Sequence, residues 1–229
     1  LWLQNVLGYD ALQTGFVLLA LAGGSFIASG FAGAFSGKVA PLVIVRVGII
    51  AEIIGLVIVA LVISVDTPWW AIAGGLLVYG FGVGLATAQL TSVVLADVPV
   101  EQSGQASGTQ STSRQVGSAL GIAILGTILF SSLGTQLADR LSDDDLPSGV
   151  QTTIVDLVVD SAGSGIAALE ERSPDVAQEA REAFTEATRY AAFAAAGFLG
   201  LGLLATGSLG SRRNGSSREN VSASRPPAG

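Results

Sequence analysis

Residues 69–95 read WWAIAGGLLVYGFGVGLATAQLTSVVL, and this stretch decides the fold. It carries no charged residue over a length that exceeds the roughly 20 apolar residues that a transmembrane helix needs. Trp69 and Trp70 stand at one end, where aromatic rings favour the membrane interface. Gly80 and Gly84 form a GxxxG pair, which is typical of close helix–helix contact in lipid. The stretch therefore predicts a membrane-spanning helix against which other helices pack.

The composition of the whole chain agrees with a membrane protein. Of its 229 residues, 50% are hydrophobic and 13% are charged, whereas soluble domains average about 25% charged residues. The net charge of −7 comes mostly from acids between residues 139 and 186, which are typical of a solvated outer face. No basic stripe is present to neutralise phosphates, which argues against nucleic-acid binding.

The residue types that carry most enzyme chemistry are missing from the sequence. It contains no cysteine and no histidine, which excludes thiolate or imidazole catalysis and the usual zinc sites. No nucleophile–base pair or metal-ligand constellation appears in its place. The sequence therefore predicts a protein that is not an enzyme and that has no metal and no cofactor.

The same hydrophobicity criteria divide the chain into an all-α, polytopic transmembrane helix bundle. The predicted elements are the end of one helix, spans at about 13–35, 42–65, 69–95 and 105–130, an extracytoplasmic acidic segment at 131–186, a last span at 187–209 and a disordered tail at 210–229. The sequence begins in the middle of a pattern and without methionine. We therefore expect it to be the C-terminal piece of a longer protein.

The distribution of basic residues predicts the orientation. Cytoplasmic loops of membrane proteins carry an excess of Lys and Arg. Lys38, Arg46 and Arg114 lie near two predicted loops, and further arginines follow the last span. The sequence thus predicts a multi-pass protein of the cell membrane, with its C-terminus in the cytoplasm and the acidic segment outside.

Glu52 is the one acid near the centre of a predicted span. A carboxylate at that depth is costly in lipid, so it should face the bundle and is a candidate for binding a proton or a cationic substrate. A structural carboxylic acid is the alternative reading. Gln89 and Thr91 are polar groups within the third span, and they suit either substrate binding or hydrogen bonds between helices.

Three further positions have a structural and a functional reading. Arg114 lies where the fourth span enters the membrane, so it is either a gating partner for an acid or an interfacial anchor. Gly117 and Gly121 repeat the GxxxG spacing of Gly80 and Gly84, and both pairs predict helix packing more readily than ligand contact.

Two stretches of the sequence resemble a known family of transporters. They are LQNVLGYDALQTGFVLLALAGG at residues 3–24 and GLLVYGFGVGLATAQLTSVVLADVPVEQSGQASGTQSTSRQVGSALGIAILGTI at residues 75–128. Together they resemble the C-terminal part of major facilitator superfamily transporters, and within that superfamily the EmrB/QacA-type 14-helix drug:proton antiporter branch. The positions that carry the resemblance are Val98, Pro99, Glu101, Gly104, Ala106, Ser107, Gly108, Arg114, Gln115, Gly117 and Gly121.

The sequence departs from the family pattern at two places. The loop after the first span lacks the usual acid and carries Lys38 where the family has arginine, which puts the gating ion pair of that loop in doubt. A proline that is common after the glycine run of the third helix is replaced by the segment 86–89.

The resemblance implies proton-coupled efflux of hydrophobic or amphipathic compounds by alternating access. Its partners would be the lipid bilayer, a small hydrophobic substrate, protons and the missing N-terminal half of the transporter. Two alternatives remain: a transporter of another solute, such as a metabolite or a lipid-like molecule, and a non-transporting assembly or sensor module. A transporter predicts that Gln89, Thr91 and Ser111 face a water-accessible cavity, whereas a structural module predicts that they are sealed.

Overall fold

The structure is a computed structural model that describes residues 1–34, 38–95, 98–142 and 146–223, with the backbone alone at residues 34, 91, 94–95 and 208–223. Its helices are α1 (Trp2–Asn5), α2 (Ala11–Ala34), α3 (Pro41–Val62), α4 (Trp69–Leu95), α5 (Ser103–Ser142), α6 (Ser148–Asp160), α7 (Ile166–Glu170) and α8 (Pro174–Ala223), with a 3₁₀ turn at Val100–Gln102. No strand occurs in these ranges, which confirms the all-α prediction. Five helices, α2, α3, α4, α5 and α8, are long and apolar enough to cross a membrane.

Helix α4 is the centre of the bundle because its glycines let α2 and α3 approach closely. A Cβ atom at Gly82 would lie 2.5 Å from the backbone nitrogen of Glu52 on α3. A Cβ atom at Gly84 would lie 2.5 Å from the carbonyl oxygen of Ser25 on α2. The Ser25 hydroxyl also donates a hydrogen bond of 2.8 Å to the carbonyl of Gly80. Backbone-to-backbone contact of this kind holds helices together in lipid, where apolar side chains gain little by meeting.

Helices α3 and α8 are antiparallel, and two arginines form hydrogen bonds between them. The Arg46 guanidinium, on α3, donates to the hydroxyl and the carbonyl oxygen of Thr206 at 3.2 and 2.6 Å. Arg189, on α8, donates to the carbonyl oxygens of Ala60 and Ile63 at 3.1 and 2.8 Å. Residues 189 and 206 lie about 26 Å apart along a helix that rises 1.5 Å per residue. This distance is close to the roughly 30 Å hydrocarbon thickness of a bilayer, so the two arginines stand near its two surfaces.

The largest buried core lies beyond the level of Arg189, in a region that we call the cap. The cap comprises the end of α5 from Leu133, helices α6 and α7, and α8 as far as Ala187. Its fully buried side chains include Leu137, Val158 and Phe184. Trp2 of α1 joins this core, and its indole Nε1–H donates a hydrogen bond of 2.8 Å to the Thr185 hydroxyl. The core of the cap is therefore built from segments that are far apart in the sequence.

The cap changes the predicted boundaries of two elements. Helix α5 continues to Ser142, although the sequence predicts its end near residue 130, because Leu133, Leu137 and Leu141 extend a buried stripe at helical spacing. Helix α6 lies within the predicted acidic segment at 131–186. Helix α8 continues to Ala223, beyond the predicted start of a disordered tail at 210, and no proline interrupts it after Pro174.

A charged cluster ties α5 to α8 on the cap. Arg140 reaches carboxylate oxygens of Glu179 at 3.0 Å, Glu182 at 2.6 Å and Glu186 at 3.5 Å. Glu182 and Glu186 lie one helical turn apart and both face α5. The acidic segment predicted at 131–186 is thus mostly helical, and part of its charge is paired internally.

Candidate functional site: a cavity at mid-membrane depth

A cavity of about 420 Å³ lies where α3, α4, α5 and α8 meet, and we call it the midplane cavity. Its volume falls within the roughly 300–1,000 Å³ of typical small-molecule sites. It is bordered by Leu56, Tyr79, Gly117, Leu120, Gly121, Ile124, Leu125, Ala195, Phe198 and Leu199. The wall is apolar except for the Tyr79 hydroxyl. Ala195 and Leu199 lie between the levels of Arg189 and Arg46, so the cavity is at mid-membrane depth.

Glu52 is buried beside this cavity, at the same depth. Its residue is 8% exposed, and it lies on the face of α3 that packs on α4. A Cβ atom at Gly82 would lie 2.7 Å from the Glu52 Cγ, so the absence of a side chain at Gly82 makes room for the acid. Within the described residues, the Glu52 carboxylate makes no hydrogen bond and no ion pair. The structure thus places the predicted mid-membrane acid inside the bundle.

Tyr79 borders the midplane cavity and packs on α3 close to Glu52. Its backbone and Cβ lie against Gly55, three residues from Glu52. The position of Tyr79 is set by Gly55, because a Cβ atom there would lie 2.7 Å from the Tyr79 Cβ. Tyr79 is a residue that the sequence interpretation missed. A phenol in the glycine-rich middle of the span was the available signal.

Gln89, a second polar candidate of α4, does not border the midplane cavity. Gln89 is buried, and its Nε2 donates a long hydrogen bond of 3.4 Å to the carbonyl of Ala32 on α2. This contact agrees with the alternative in which Gln89 forms a hydrogen bond between two helices. Thr91 lies on α4, but its side chain is outside the described part of the structure, so its role as a substrate-binding or proton-coupling residue stays a prediction.

The two candidate cations lie at the end of the bundle opposite to the cap. Lys38 is exposed in the turn between α2 and α3. Arg114 is exposed on α5 and borders a second, wider cavity of about 750 Å³ together with Leu90, Gln102, Gln105 and Gln110. The structure does not bring Lys38 or Arg114 to Glu52. A gating role of Lys38 and Arg114 would therefore not involve Glu52, and it stays a prediction.

The two glycine pairs have different surroundings. Gly80 and Gly84 lie against Leu21 and Ser25 of α2. Gly117 and Gly121 border the midplane cavity, and a Cβ atom at either position would meet nothing within 4 Å in the described chain. Helix packing by the second pair remains a prediction.

This arrangement can hold an apolar molecule next to one hydroxyl and one acid. Carboxylates at mid-membrane depth bind protons or cations in membrane proteins. Among the described residues, no group of three acids is close enough to hold a metal ion. The chemistry available at the site is therefore reversible proton or cation binding beside an apolar surface.

Comparison with known proteins gives a family and a set of relatives. The model of the Major Facilitator Superfamily matches residues 1–122. Multidrug resistance protein Stp of Mycobacterium tuberculosis is 32% identical over 162 residues, which are 70% of this chain and 30% of that protein. Drug efflux pump JefA of the same organism is 32% identical over 159 residues, 69% of this chain and 31% of the pump.

A tetracycline resistance determinant of Streptomyces rimosus is 32% identical over 144 residues, 62% of this chain and 41% of that protein. The chain thus spans about a third of the length of these relatives. No solved structure matches it significantly.

Proposed function

The chain belongs to the Major Facilitator Superfamily, and from this premise we propose that it forms part of a secondary transporter that exports hydrophobic or amphipathic compounds in exchange for protons. The chain is a multi-pass membrane protein whose spanning helices lie in a lipid bilayer. Membership in a family of transporters also supports a role that is not enzymatic. The names of the relatives, a multidrug resistance protein and a drug efflux pump, support export as the direction of transport.

The observation that carries this proposal is the pairing of Glu52 with the midplane cavity. The apolar wall suits a hydrophobic compound, and the nearby acid suits a proton or the positive charge of an amphipathic cation. A proton and a cationic compound cannot bind to the same carboxylate at the same time. Exchange transport depends on this mutually exclusive binding. Tyr79 borders the cavity, and its hydroxyl is a polar group that a bound compound could contact.

The mechanism requires a second half of the transporter. In this family fold, binding sites lie near the midplane between repeats, and one repeat rocks against the other. We propose that the midplane cavity faces the N-terminal half, that the cap lies outside the cell membrane and that the C-terminus lies in the cytoplasm. Protons and a small hydrophobic substrate are the proposed partners, and no cofactor is invoked.

The test uses cells that express the full gene product carrying this chain and that are loaded with a lipophilic cationic dye. Substituting Glu52→Gln keeps the size of the side chain and removes its titration. We expect dye efflux driven by a proton gradient to fall at least about tenfold, because an amide at this depth cannot bind and release the coupling proton. Glu52→Asp should retain part of the activity.

Asp139→Asn is the matched control, because Asp139 is an exposed acid on the cap side of α5. Efflux that persists in Glu52→Gln with an unchanged dependence on the proton gradient would rule out Glu52 as the coupling acid. If the intact protein leaves dye efflux at the level of cells without it, the drug-export proposal is wrong, and transport of another solute or a non-transporting role takes its place.

A further inference from the structure

A second, polar pocket lies on the cap side of the midplane cavity. It has a volume of about 260 Å³ and is bordered by Ser64, Val65, Arg140, Glu182, Thr185, Glu186 and Arg189. We call it the cap-side pocket. It contrasts with the midplane cavity, which is almost entirely apolar. Both border α3 or the loop that follows it, and both border α8, so they lie one above the other along the same helix–helix seam.

Arg189 stands where these two spaces come closest. Ala195, the first residue of α8 on the midplane cavity, lies about 9 Å further along the helix from Arg189 at 1.5 Å per residue. On α3, Leu56 of the cavity lies about 6 Å from Ala60, which accepts a hydrogen bond from Arg189. Ala60 is fully buried, so α3 is closely packed at the level between the two spaces.

The Arg189 guanidinium bridges this seam from one helix to the other. Its Nε and Nη2 donate to the carbonyl oxygens of Ala60, in the last turn of α3, and of Ile63, the residue that follows α3. Both oxygens belong to buried residues. These two bonds satisfy carbonyls that the end of a helix leaves free, and they hold the charged group in place across the contact. The carboxylates of Glu182 and Glu186 and the Arg140 guanidinium are the other charged groups that border the same pocket.

We propose that Arg189 is the barrier that separates the cap-side pocket from the midplane cavity. A guanidinium keeps its charge at every physiological pH. Fixed arginines of this kind exclude protons and cations from narrow passages in other membrane proteins. Arg189 therefore prevents water and protons in the cap-side pocket from reaching Glu52 while α3 and α8 remain in contact. The role in proton control depends on the proposed function, whereas the barrier to solvent does not.

Cysteine labelling tests this barrier directly, because the chain contains no native cysteine. The reporter is Ala195→Cys in the full gene product, with any cysteines outside this chain replaced. A membrane-impermeant thiosulfonate reagent is added from the cap side, and the rate of modification is measured. We expect the reporter to be labelled at least about tenfold faster when Arg189→Ala is added than when it is not.

Arg189→Lys should give an intermediate rate, because a single ammonium lacks the planar pair of donors that bridges two carbonyls. Arg181→Ala is the matched control. Arg181 is an arginine of the same helix that pairs with Glu170 on the cap surface, and its removal should leave the labelling rate unchanged. Leu56→Cys serves as a second reporter on the opposite wall of the seam.

Equal labelling rates in the Arg189→Ala and Arg181→Ala backgrounds would overturn the proposal. Size-exclusion chromatography in detergent shows whether each variant is monodisperse, and Arg189→Gln replaces Arg189→Ala if the latter is not. The assay uses no substrate and no proton gradient. A failure of the efflux test at Glu52 therefore leaves its result intact, and the two proposals can fail separately.

Discussion

Replacing Gly84 by alanine should separate α2 from α4, and the size of the effect follows from the structure. A Cβ atom at Gly84 would lie 2.5 Å from the Ser25 carbonyl oxygen and 2.8 Å from the Ala28 Cβ. Ordinary van der Waals contact starts near 3.4 Å, so the helices must move apart by about 0.9 Å. Because the obstacle at Ser25 is backbone, a change of side-chain rotamer cannot relieve the contact.

The expected cost is about 1–3 kcal/mol, the range that overpacking a tight contact produces. Alanine also favours the helix over glycine by up to about 1 kcal/mol, which would hide part of this cost in a simple comparison with the original protein. Gly74→Ala on the same helix removes that difficulty, since a Cβ atom there meets nothing within 4 Å in the described chain. The difference between the two variants isolates the packing cost.

Thermal unfolding of the full-length protein in detergent measures this difference. The midpoint shifts by about 2–4 °C per kcal/mol for a chain of this size and by about a third of that for a protein as long as the relatives, so a packing cost of about 2 kcal/mol corresponds to a midpoint about 1–3 °C lower in Gly84→Ala than in Gly74→Ala. Equal midpoints for the two variants would refute the close approach of α2 and α4 at Gly84. That result would also remove the reason for placing α4 at the centre of the bundle.

Three further predictions concern the cap. Leu137→Ala should destabilise the protein by about 2–5 kcal/mol, because Leu137 is fully buried. Val150→Ala is the control and should cost little stability, because Val150 is 44% exposed. The rate of limited proteolysis in α6 and α7 measures both effects. Trp2→Phe removes the buried hydrogen bond to Thr185, and thermal unfolding should show a loss of about 1–2 kcal/mol. The hydrogen bond and the charge of Arg181 hold the pKa of Glu170 below its ordinary value of 4.5. The ion pair therefore stabilises the folded state at pH values above 4.5, and this stabilisation is lost as the pH falls through the lowered pKa. The unfolding midpoints of the original protein and Glu170→Gln should therefore differ at neutral pH and converge in acid.

The membrane spans could be predicted from the sequence because length and apolar composition are local properties. A helix in lipid satisfies its own backbone, so α2, α3 and α4 begin and end close to the predicted positions. The same reasoning placed Glu52 near the centre of a span. The cap could not be predicted in this way. Leu133 and Leu141 lie in a segment that reads as soluble, and their burial depends on α6, α7 and α8, which follow them in the sequence.

The candidate site was predictable only in part, because it depends on the rotation and register of neighbouring helices. Gly80 with Gly84 and Gly117 with Gly121 have the same spacing, yet the first pair lies against α2 and the second borders a cavity. Gln89 meets Ala32, a residue 57 positions away. Tyr79 is part of the candidate site because it packs on α3 near Glu52 and borders the midplane cavity together with residues of three other helices. None of these relations is contained in the pattern of a single helix.

The position of Glu52 is hard to explain by packing alone. The face of α3 that meets α4 already relies on Gly48 and Gly55 for close approach, and alanine at position 52 would serve the same contact. An ionised side chain at the centre of a membrane span costs about 2.5–3.5 kcal/mol even on insertion scales that allow for relaxation. In the described part of the chain no cation or hydrogen-bond donor offsets that cost at the Glu52 carboxylate. The burial of this acid, the space that Gly82 leaves for it and the nearby apolar cavity support the proposal that Glu52 binds a proton or a ligand.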